Sequence, residues 1–184
     1  MPVHERIARI TKGIALHCSQ IDKRSVARFL DAIAGANRVF IAGAGRSGLV
    51  ARAFAMRLMH LGLKVHAVGE VTTPAAKPGD LLIIVSGSGQ THSMSCVMER
   101  GRSNGAKVAV LTSVPGSPIG KKADIIVHIK GKTAKDLANV GLRSPLGTPF
   151  ELSAMVFLDS VIEELADRFR KNEAELRARH ANLE

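Results

Sequence analysis

An uninterrupted apolar run that ends in alternating Ser and Gly constrains this chain more than any other stretch. Residues 80–85 read Asp-Leu-Leu-Ile-Ile-Val, and Ser86-Gly87-Ser88-Gly89-Gln90-Thr91 follows directly. Apolar character without alternation is typical of a central parallel strand that is covered on both faces. The turn then opens a helix, where free backbone N–H groups and the helix dipole favour an anion. Three hydroxyls and two glycines in six residues favour a phosphate cradle over an ordinary capped turn.

A second glycine turn lies earlier in the chain. The predicted strand 38–42 runs into Gly43-Ala44-Gly45-Arg46-Ser47-Gly48, and a helix is predicted from about Leu49 to Leu61. This pattern matches the G-x-G-x-x-G dinucleotide fingerprint, and Glu70 stands where it can contact a ribose. Arg46 and Ser47, however, suit a terminal phosphate, and 184 residues leave little room for a separate substrate domain. A nucleotide-dependent oxidoreductase therefore stays an alternative.

Strands alternate with helices along the middle of the chain. Further strands are predicted at 64–68, 107–111 and 124–129, and this spacing indicates βαβ units and an α/β fold with a parallel sheet wrapped on both faces. Both glycine turns then lie at carboxyl ends of strands, where such sheets bind ligands, and we expect them to flank one pocket.

We expect one domain, 1–184, in four parts. They are an N-terminal helical segment 1–36, a βα core 37–130, a loop 131–147, and a C-terminal helix with a charged tail 148–184. Ser19 or Asp22 is expected to cap the second helix, and Gly35 to end it. The first two helices resemble a DNA-reading helix pair in outline, but a subunit interface is the preferred interpretation. The tail from Asp167 is expected to be a solvated, fraying helix.

The composition limits the classes of partner that we expect this protein to bind. The formal charge of +10 attracts polyanions, but aromatic residues are only 3% and Trp and Tyr are absent, so bases have no stacking platform. We therefore expect no nucleic acid partner. The apolar runs are too short to span a bilayer, and Met1–Arg6 lacks a signal-peptide pattern, so we expect a cytoplasmic protein without a membrane partner. Cys18 and Cys96 fit no metal-ligand spacing, and no metal site is predicted.

The two glycine turns on a five-stranded βα pattern resemble the sugar isomerase (SIS) domain. Within that superfamily, Phe54-Ala55-Met56-Arg57-Leu58-Met59-His60-Leu61-Gly62 and Gly147-Thr148-Pro149-Phe150-Glu151 are similar to the 6-phospho-3-hexuloisomerase family. The resemblance covers almost the whole chain and weakens at the tail. It implies a flavodoxin-like three-layer αβα sandwich with N-terminal helices and a long C-terminal helix. It also implies no metal or organic cofactor and a homotetramer whose active sites are shared between subunits.

The resemblance further implies the interconversion of D-arabino-3-hexulose 6-phosphate and fructose 6-phosphate, in the ribulose monophosphate pathway of formaldehyde fixation. Bifunctional relatives begin with an aldolase-type barrel; this chain lacks one, so a separate 3-hexulose-6-phosphate synthase is expected to supply the substrate. Arabinose 5-phosphate isomerases share the domain but often carry appended modules that are not seen here.

Moving a carbonyl from C3 to C2 requires a base, and a carboxylate with a tuned pKa can serve. Position alone leaves Glu151 either this base or an acidic residue in a first helical turn. His60 is either a proton shuttle or a structural histidine near a helix end. The resemblance favours the catalytic role for both. Substrate and phosphate binding is predicted for Gly45, Arg46, Ser47, Ser86, Gly87, Ser88, Gly89, Gln90 and Thr91, with Arg57 as a weaker candidate.

Three other classes stay open: a non-catalytic sugar-phosphate receptor, the nucleotide-dependent oxidoreductase, and a nucleic-acid binder. A receptor of this kind would belong to a regulator with a DNA-binding module and would not need Glu151. Binding of NADH would identify the oxidoreductase. An affinity for nucleic acid that falls steeply as the salt concentration rises would identify the nucleic-acid binder.

Overall fold

The computed structural model describes residues 2–131 and 148–183, with the side chain of Thr148 left aside. Apart from Gly131, the predicted loop 131–147 lies outside the described residues. Helices and strands alternate through the middle of the chain, as expected. In chain order the elements are α1 Val3–Ser19, α2 Lys23–Ala34, β1 Val39–Gly43, α3 Gly45–His60, β2 Val65–Ala67, β3 Leu81–Val85, α4 His92–Ser103, β4 Lys107–Thr112, a 3₁₀ turn Gly120–Lys122, β5 Ile125–His128, α5 Thr148–Arg168 and α6 Glu173–Arg177.

The five strands form one parallel sheet in the order β2-β1-β3-β4-β5. This is the flavodoxin-like order, and the predicted fold class is confirmed. Strand order reverses between β1 and β3, because the chain leaves β1 toward β2 and returns on its other side. The gap above the carboxyl ends of these two strands is where doubly wound sheets bind ligands.

Strand side chains alternate between two apolar layers. Positions such as Val39, Ile41 and Ile83 face α2, α3 and α5, whereas Phe40 and Ile84 face α4 and the 3₁₀ turn. Both faces of the central strands are therefore buried, which explains why β3 is a continuous apolar run. The result is the predicted αβα sandwich.

The N-terminal helices pack on this sandwich. Asp22 caps α2 by accepting a hydrogen bond from the Ser25 N–H at 2.8 Å, which selects it over Ser19, and Gly35 is the C-cap, as predicted. One face of α2 is buried in the main core. α1 lies against α5, where His17 Nδ1 is 3.3 Å from Ser153 Oγ. The pair thus belongs to the sandwich, and a free DNA-reading module is not what these helices form.

Helix α3 begins at Gly45, four residues before the predicted start at Leu49. Gly45 has a φ of 58°, so the chain turns sharply enough for Arg46 and Ser47 to enter the first helical turn at once. Two predicted loop residues are therefore held by a helix N-terminus.

The charged tail is not the single fraying helix that was expected. α5 ends at Arg168, and Arg170 takes a left-handed φ of 52° that turns the chain. A capping box then starts α6: Glu175 N–H donates to the Asn172 side chain at 3.0 Å, and the Glu175 carboxylate accepts from Asn172 N–H at 3.1 Å. Local capping stops the long helix and begins a new one. Across residues 2–131 and 148–183, no helix is both long and apolar enough to cross a lipid bilayer.

A buried ion pair fixes the amino ends of the two central strands. Asp80 is 1% exposed and accepts hydrogen bonds from Arg38 Nε at 3.1 Å and Nη2 at 2.6 Å, and from the Lys77 N–H at 2.9 Å. Burial raises the pKa of Asp80, but these bonds outweigh it, and the pKa lies below its ordinary value. The pair joins the residue before β1 to the residue before β3.

Replacing Asp80 by Asn should destabilise the fold by about 2–3 kcal/mol, because the buried carboxylate loses its charge-assisted hydrogen bonds from the half-buried Arg38. Urea unfolding at neutral pH measures the change. Glu99→Gln removes the exposed Lys122–Glu99 pair and serves as the control, with an expected loss of at most about 1 kcal/mol. Equal losses in the two variants would contradict the role given to the buried pair.

Candidate active site

The two glycine turns start side by side. Strands β1 and β3 pair in parallel, and the last register pair joins Gly43 to Val85. Adjacent strands lie about 4.8 Å apart, so residues 44–48 and 86–91 leave the sheet together at the switch point. The turns are therefore adjacent, and that they flank one pocket stays a prediction.

In the second turn, a neighbouring strand holds the backbone open. The Gly87 carbonyl accepts hydrogen bonds from Thr112 Oγ1, Ser113 N–H and Ser113 Oγ, each at 3.0 Å. The carbonyl is thereby turned toward the end of β4. Within the described chain, no backbone carbonyl accepts from the N–H groups of Gly87 and Ser88. Two donors are thus left for a ligand.

The Ser86 hydroxyl makes no hydrogen bond to any described residue of the protein. Its side chain is 4% exposed, and Oγ finds no hydrogen-bond partner among residues 2–131 and 148–183. A buried hydroxyl without a partner is unfavourable unless a bound molecule completes it. Ser88 Oγ, by contrast, accepts from the Gln90 N–H at 3.3 Å, and Thr91 is the N-cap of α4 without a capping bond from its side chain.

Glycine is required at Gly89. Its φ is 59°, and a Cβ there would overlap Ser117 Oγ. The Ile119 N–H also donates to the Gly89 carbonyl at 3.2 Å. The second glycine turn therefore packs on the segment that contains Ser117 and Ile119, and these contacts fix its shape.

In the first turn, two glycines bring strand and helix into close contact. A Cβ at Gly43 would lie 2.8 Å from the Ser47 carbonyl oxygen, and one at Gly48 would lie 2.6 Å from the Gly43 carbonyl oxygen. The N-cap of α3 is Ala44, which has no side chain to satisfy the first N–H groups. Ser47 is buried here and Arg46 is exposed. The N-terminus of α3 therefore faces the site without a capping hydrogen bond from its own N-cap residue.

Glu151 lies beside this first turn, in the first turn of α5. Its side chain is 8% exposed, and Oε2 has no hydrogen-bond partner among the described residues. Burial raises the pKa of the carboxyl above its ordinary value; its own backbone N–H, the charge of Arg46 and the hydroxyl of Ser47 oppose this shift without cancelling it. A carboxylate of raised pKa suits proton transfer near neutral pH.

His60 and Arg57 lie at the other end of α3. His60 is thirteen residues beyond Ser47, or about 20 Å along the helix axis. The His60 ring is 5% exposed, and burial lowers its pKa, with smaller contributions from His180 and Arg57. Arg57 is exposed and lines a cavity of about 560 Å³ with Arg177 and His180. Within one chain, neither residue reaches Glu151.

The structure thus divides the predicted site residues into two groups. One group surrounds the switch point: Gly45, Arg46, Ser47, Ser86, Gly87, Ser88, Gly89, Gln90, Thr91 and Glu151. The other is the distant pair Arg57 and His60. The residues that hold the second turn open, Thr112, Ser113 and Ser117, were not predicted; their only signal is a hydroxyl cluster after the next strand. The described residues contain no cluster of three or more His, Cys, Asp or Glu side chains that could hold a metal ion.

Comparison with known proteins places the chain in a family. The SIS domain model matches residues 32–158, which include both glycine turns and Glu151. The chain belongs to the SIS domain family. It is similar to a Bacillus subtilis protein named 3-hexulose-6-phosphate isomerase, with 39% identity over 186 residues that cover 100% of both chains. A Methylomonas aminofaciens protein of the same name is 44% identical over 158 residues, 85% of this chain and 86% of its own.

Among solved structures, this SIS protein resembles one from Methanococcus jannaschii whose crystal structure led to an inferred 3-hexulose-6-phosphate isomerase function. The TM-score is 0.85 at 36% identity, and the match covers 98% of this chain and 99% of the other. These relatives place the SIS protein among the isomerases. The predicted family and enzyme class are confirmed, whereas the roles of individual site residues stay predictions.

Glu151→Gln should make the folded protein more stable at about pH 7.5. The folded-state pKa of Glu151 is raised, so its ionisation opposes folding as the pH rises through that pKa, and glutamine removes this penalty. The gain should shrink as the pH falls and vanish below about pH 4, because the glutamate then becomes protonated in the unfolded state as well. Thermal unfolding across this range measures it. Glu163→Gln, on the exposed side of the same helix, should change little; an equal shift in both variants would contradict the burial argument.

Proposed function

We propose that this SIS protein interconverts D-arabino-3-hexulose 6-phosphate and fructose 6-phosphate through a cis-enediol. One observation carries the proposal: the buried Glu151 carboxylate, with an oxygen that no described residue engages, lies beside the first turn of α3. Helices α3 and α4 start at the same edge of the sheet, and neither N-cap side chain makes a capping hydrogen bond. The names of relatives at about 40% identity over most of the chain support the substrate. The ribulose monophosphate pathway of formaldehyde fixation, with a separate 3-hexulose-6-phosphate synthase as the source of substrate, is the metabolic setting we propose.

The phosphate is held at the switch point. Ser86 Oγ, Ser47, Ser88 and Thr91 donate hydroxyl hydrogen bonds, and the N–H groups of Gly87 and Ser88 add backbone donors. The N–H groups of Gly89 and Gln90 donate within the turn, to the Ser86 carbonyl and to Ser88 Oγ. Arg46 supplies positive charge at the rim. Charge-assisted bonds of this kind are about twice as strong as neutral ones, so a remote phosphate supplies enough binding energy to orient the sugar.

Glu151 then acts on the carbon chain. In the forward direction its carboxylate takes the proton from C2 of the 3-hexulose, and the electrons of the C–H bond form the C2=C3 bond of an enediol. The same carboxyl returns the proton to C3, and the C2 hydroxyl becomes the carbonyl. The second proton moves from O2 to O3, and a neutral imidazole can carry it. His60 is our candidate for this step.

His60 requires a second copy of the chain, since it lies about 20 Å from Ser47 along the same α3. Large apolar side chains support such an assembly: Leu49 and Met56 on α3 are 68% and 47% exposed, and Val3 and Ile7 are exposed on α1. Exposed apolar groups on two helices mark surfaces that another subunit can cover. We propose a homotetramer in which one subunit supplies Glu151 and the phosphate turns, and a neighbour supplies His60 and Arg57.

Ser86→Ala should raise KM for fructose 6-phosphate about tenfold or more, because a hydrogen bond to a charged group is worth about 1.5–3 kcal/mol. Its melting temperature should change little, since Ser86 Oγ has no internal partner to lose. Thr112→Ala is the matched control. It removes a donor to the Gly87 carbonyl and should lower the melting temperature. An unchanged KM in Ser86→Ala would place the phosphate elsewhere.

Incubation of the protein with fructose 6-phosphate in D₂O should place deuterium at C3 and none at C1, as followed by proton NMR. The enediol we propose joins C2 and C3, whereas exchange at C1 would indicate an aldose–ketose isomerase such as an arabinose 5-phosphate isomerase. Glu151→Gln should abolish exchange and still bind fructose 6-phosphate in a thermal-shift titration. Binding without any exchange in the parent protein would leave a sugar-phosphate receptor, and exchange that survives Glu151→Gln would remove Glu151 from the mechanism.

A further inference from the structure

The segment after α5 packs against one face of the His60 ring. The His180 ring stacks on the His60 ring with centroids 5.3 Å apart and planes inclined by 20°. His60 is 5% exposed as a result of its place between the helix end and this segment, whereas His180 itself is exposed. Among the described residues, no hydrogen bond orients either ring nitrogen of His60. The stack is the one ring contact found for its imidazole among the described residues.

The stacking segment is itself anchored. The capping box of Asn172 and Glu175 starts α6, Lys171 pairs with Glu175 at 2.8 Å, and Leu176 packs against the main core. Next to His180, the Arg179 guanidinium lies over Gly62, with Nη2 3.2 Å from the place of a Cβ there. The first two interactions order the segment internally, and the last two place it against the core and against Gly62, just beyond the end of α3. These anchors place the His180 ring at a defined position on the His60 ring.

The surroundings favour an uncharged His60. Arg57 lies on the same helix as His60, and the His180 ring lies against it. Arg57 and His180 line a cavity with Arg177, and Glu173 is the carboxylate among its lining residues. Burial lowers the pKa of His60, and the neighbouring His180 and Arg57 lower it further. A neutral imidazole accepts a proton, as transfer between the two substrate oxygens requires.

We propose that His180 is a positioning residue for the reaction: by stacking on His60 it fixes the imidazole plane that His60 presents to the substrate held by a neighbouring subunit. The inference rests on the proposed role of His60. It assigns a function to the C-terminal segment, which would otherwise be only a cover for a helix end. His180 touches no substrate atom in this account and acts through His60 alone.

Steady-state kinetics of His180→Ala, His180→Phe, His60→Ala and the double variant test the inference. His180→Ala should lower kcat about tenfold with KM within about twofold, since misplacement of a catalytic group by about 1 Å can reduce rates up to about 100-fold. Phenylalanine keeps a flat ring for stacking and should restore most of kcat. The double variant should be no slower than His60→Ala, because a residue that acts only through His60 has nothing to lose once His60 is absent.

Leu183→Ala, in the same segment and fully exposed, is the control and should keep the parent kcat. If His180→Ala is insoluble, His180→Gln takes its place in the series. Full activity in His180→Ala beside an inactive His60→Ala would overturn the inference and leave the proposed function intact. A double variant slower than His60→Ala by the full His180 factor would also overturn it. Full activity in His60→Ala would remove the proposed role of His60, and with it the inference.

Discussion

The reversal of strand order between β1 and β3 is the constraint on which the rest of this structure depends. It separates the two crossover helices, so that α3 and α4 both begin at the same edge of the sheet and leave a gap between them. Neither helix start is satisfied by a capping side chain, and Gly43, Gly48 and Gly89 let the backbone approach closely enough to form the turns. The unpaired N–H groups at these two helix starts make the gap a favourable site for an anion.

Glu151 gives this gap its chemistry. A carboxylate buried beside the N-terminus of α3 is held between opposing effects, since burial favours the protonated form while Arg46 and Ser47 favour the ionised one. In a folded protein without function, such a group would be a net loss of stability. Its persistence at the switch point, together with the unengaged hydroxyl of Ser86, is explained by a substrate that brings a phosphate and an acidic C–H bond to the same place.

Much of this arrangement could be predicted from the sequence, because local signals decide it. The continuous apolar run 81–85 indicates a strand covered on both faces, and hydroxyl-rich glycine turns after two strands indicate the ligand edge. Three features could not be read in this way. The early start of α3 depends on the φ of Gly45, and the support of Gly87 by Thr112 and Ser113 depends on strand neighbours. The stacking of His180 on His60 joins residues 120 positions apart, and no periodic pattern in the charged tail predicts this contact.

In the proposed reaction, one sugar phosphate spans from the glycine turns to Glu151, and His60 comes from another subunit. A crystal structure of the Glu151→Gln variant with fructose 6-phosphate measures this most directly. We predict the phosphate within hydrogen-bond distance of Ser86 Oγ and of the Gly87 and Ser88 N–H groups, with C2 and C3 about 3–3.5 Å from the residue 151 side chain. A phosphate bound instead in the cavity of Arg57, Arg177 and His180, with residue 151 out of reach of the sugar, would contradict the account.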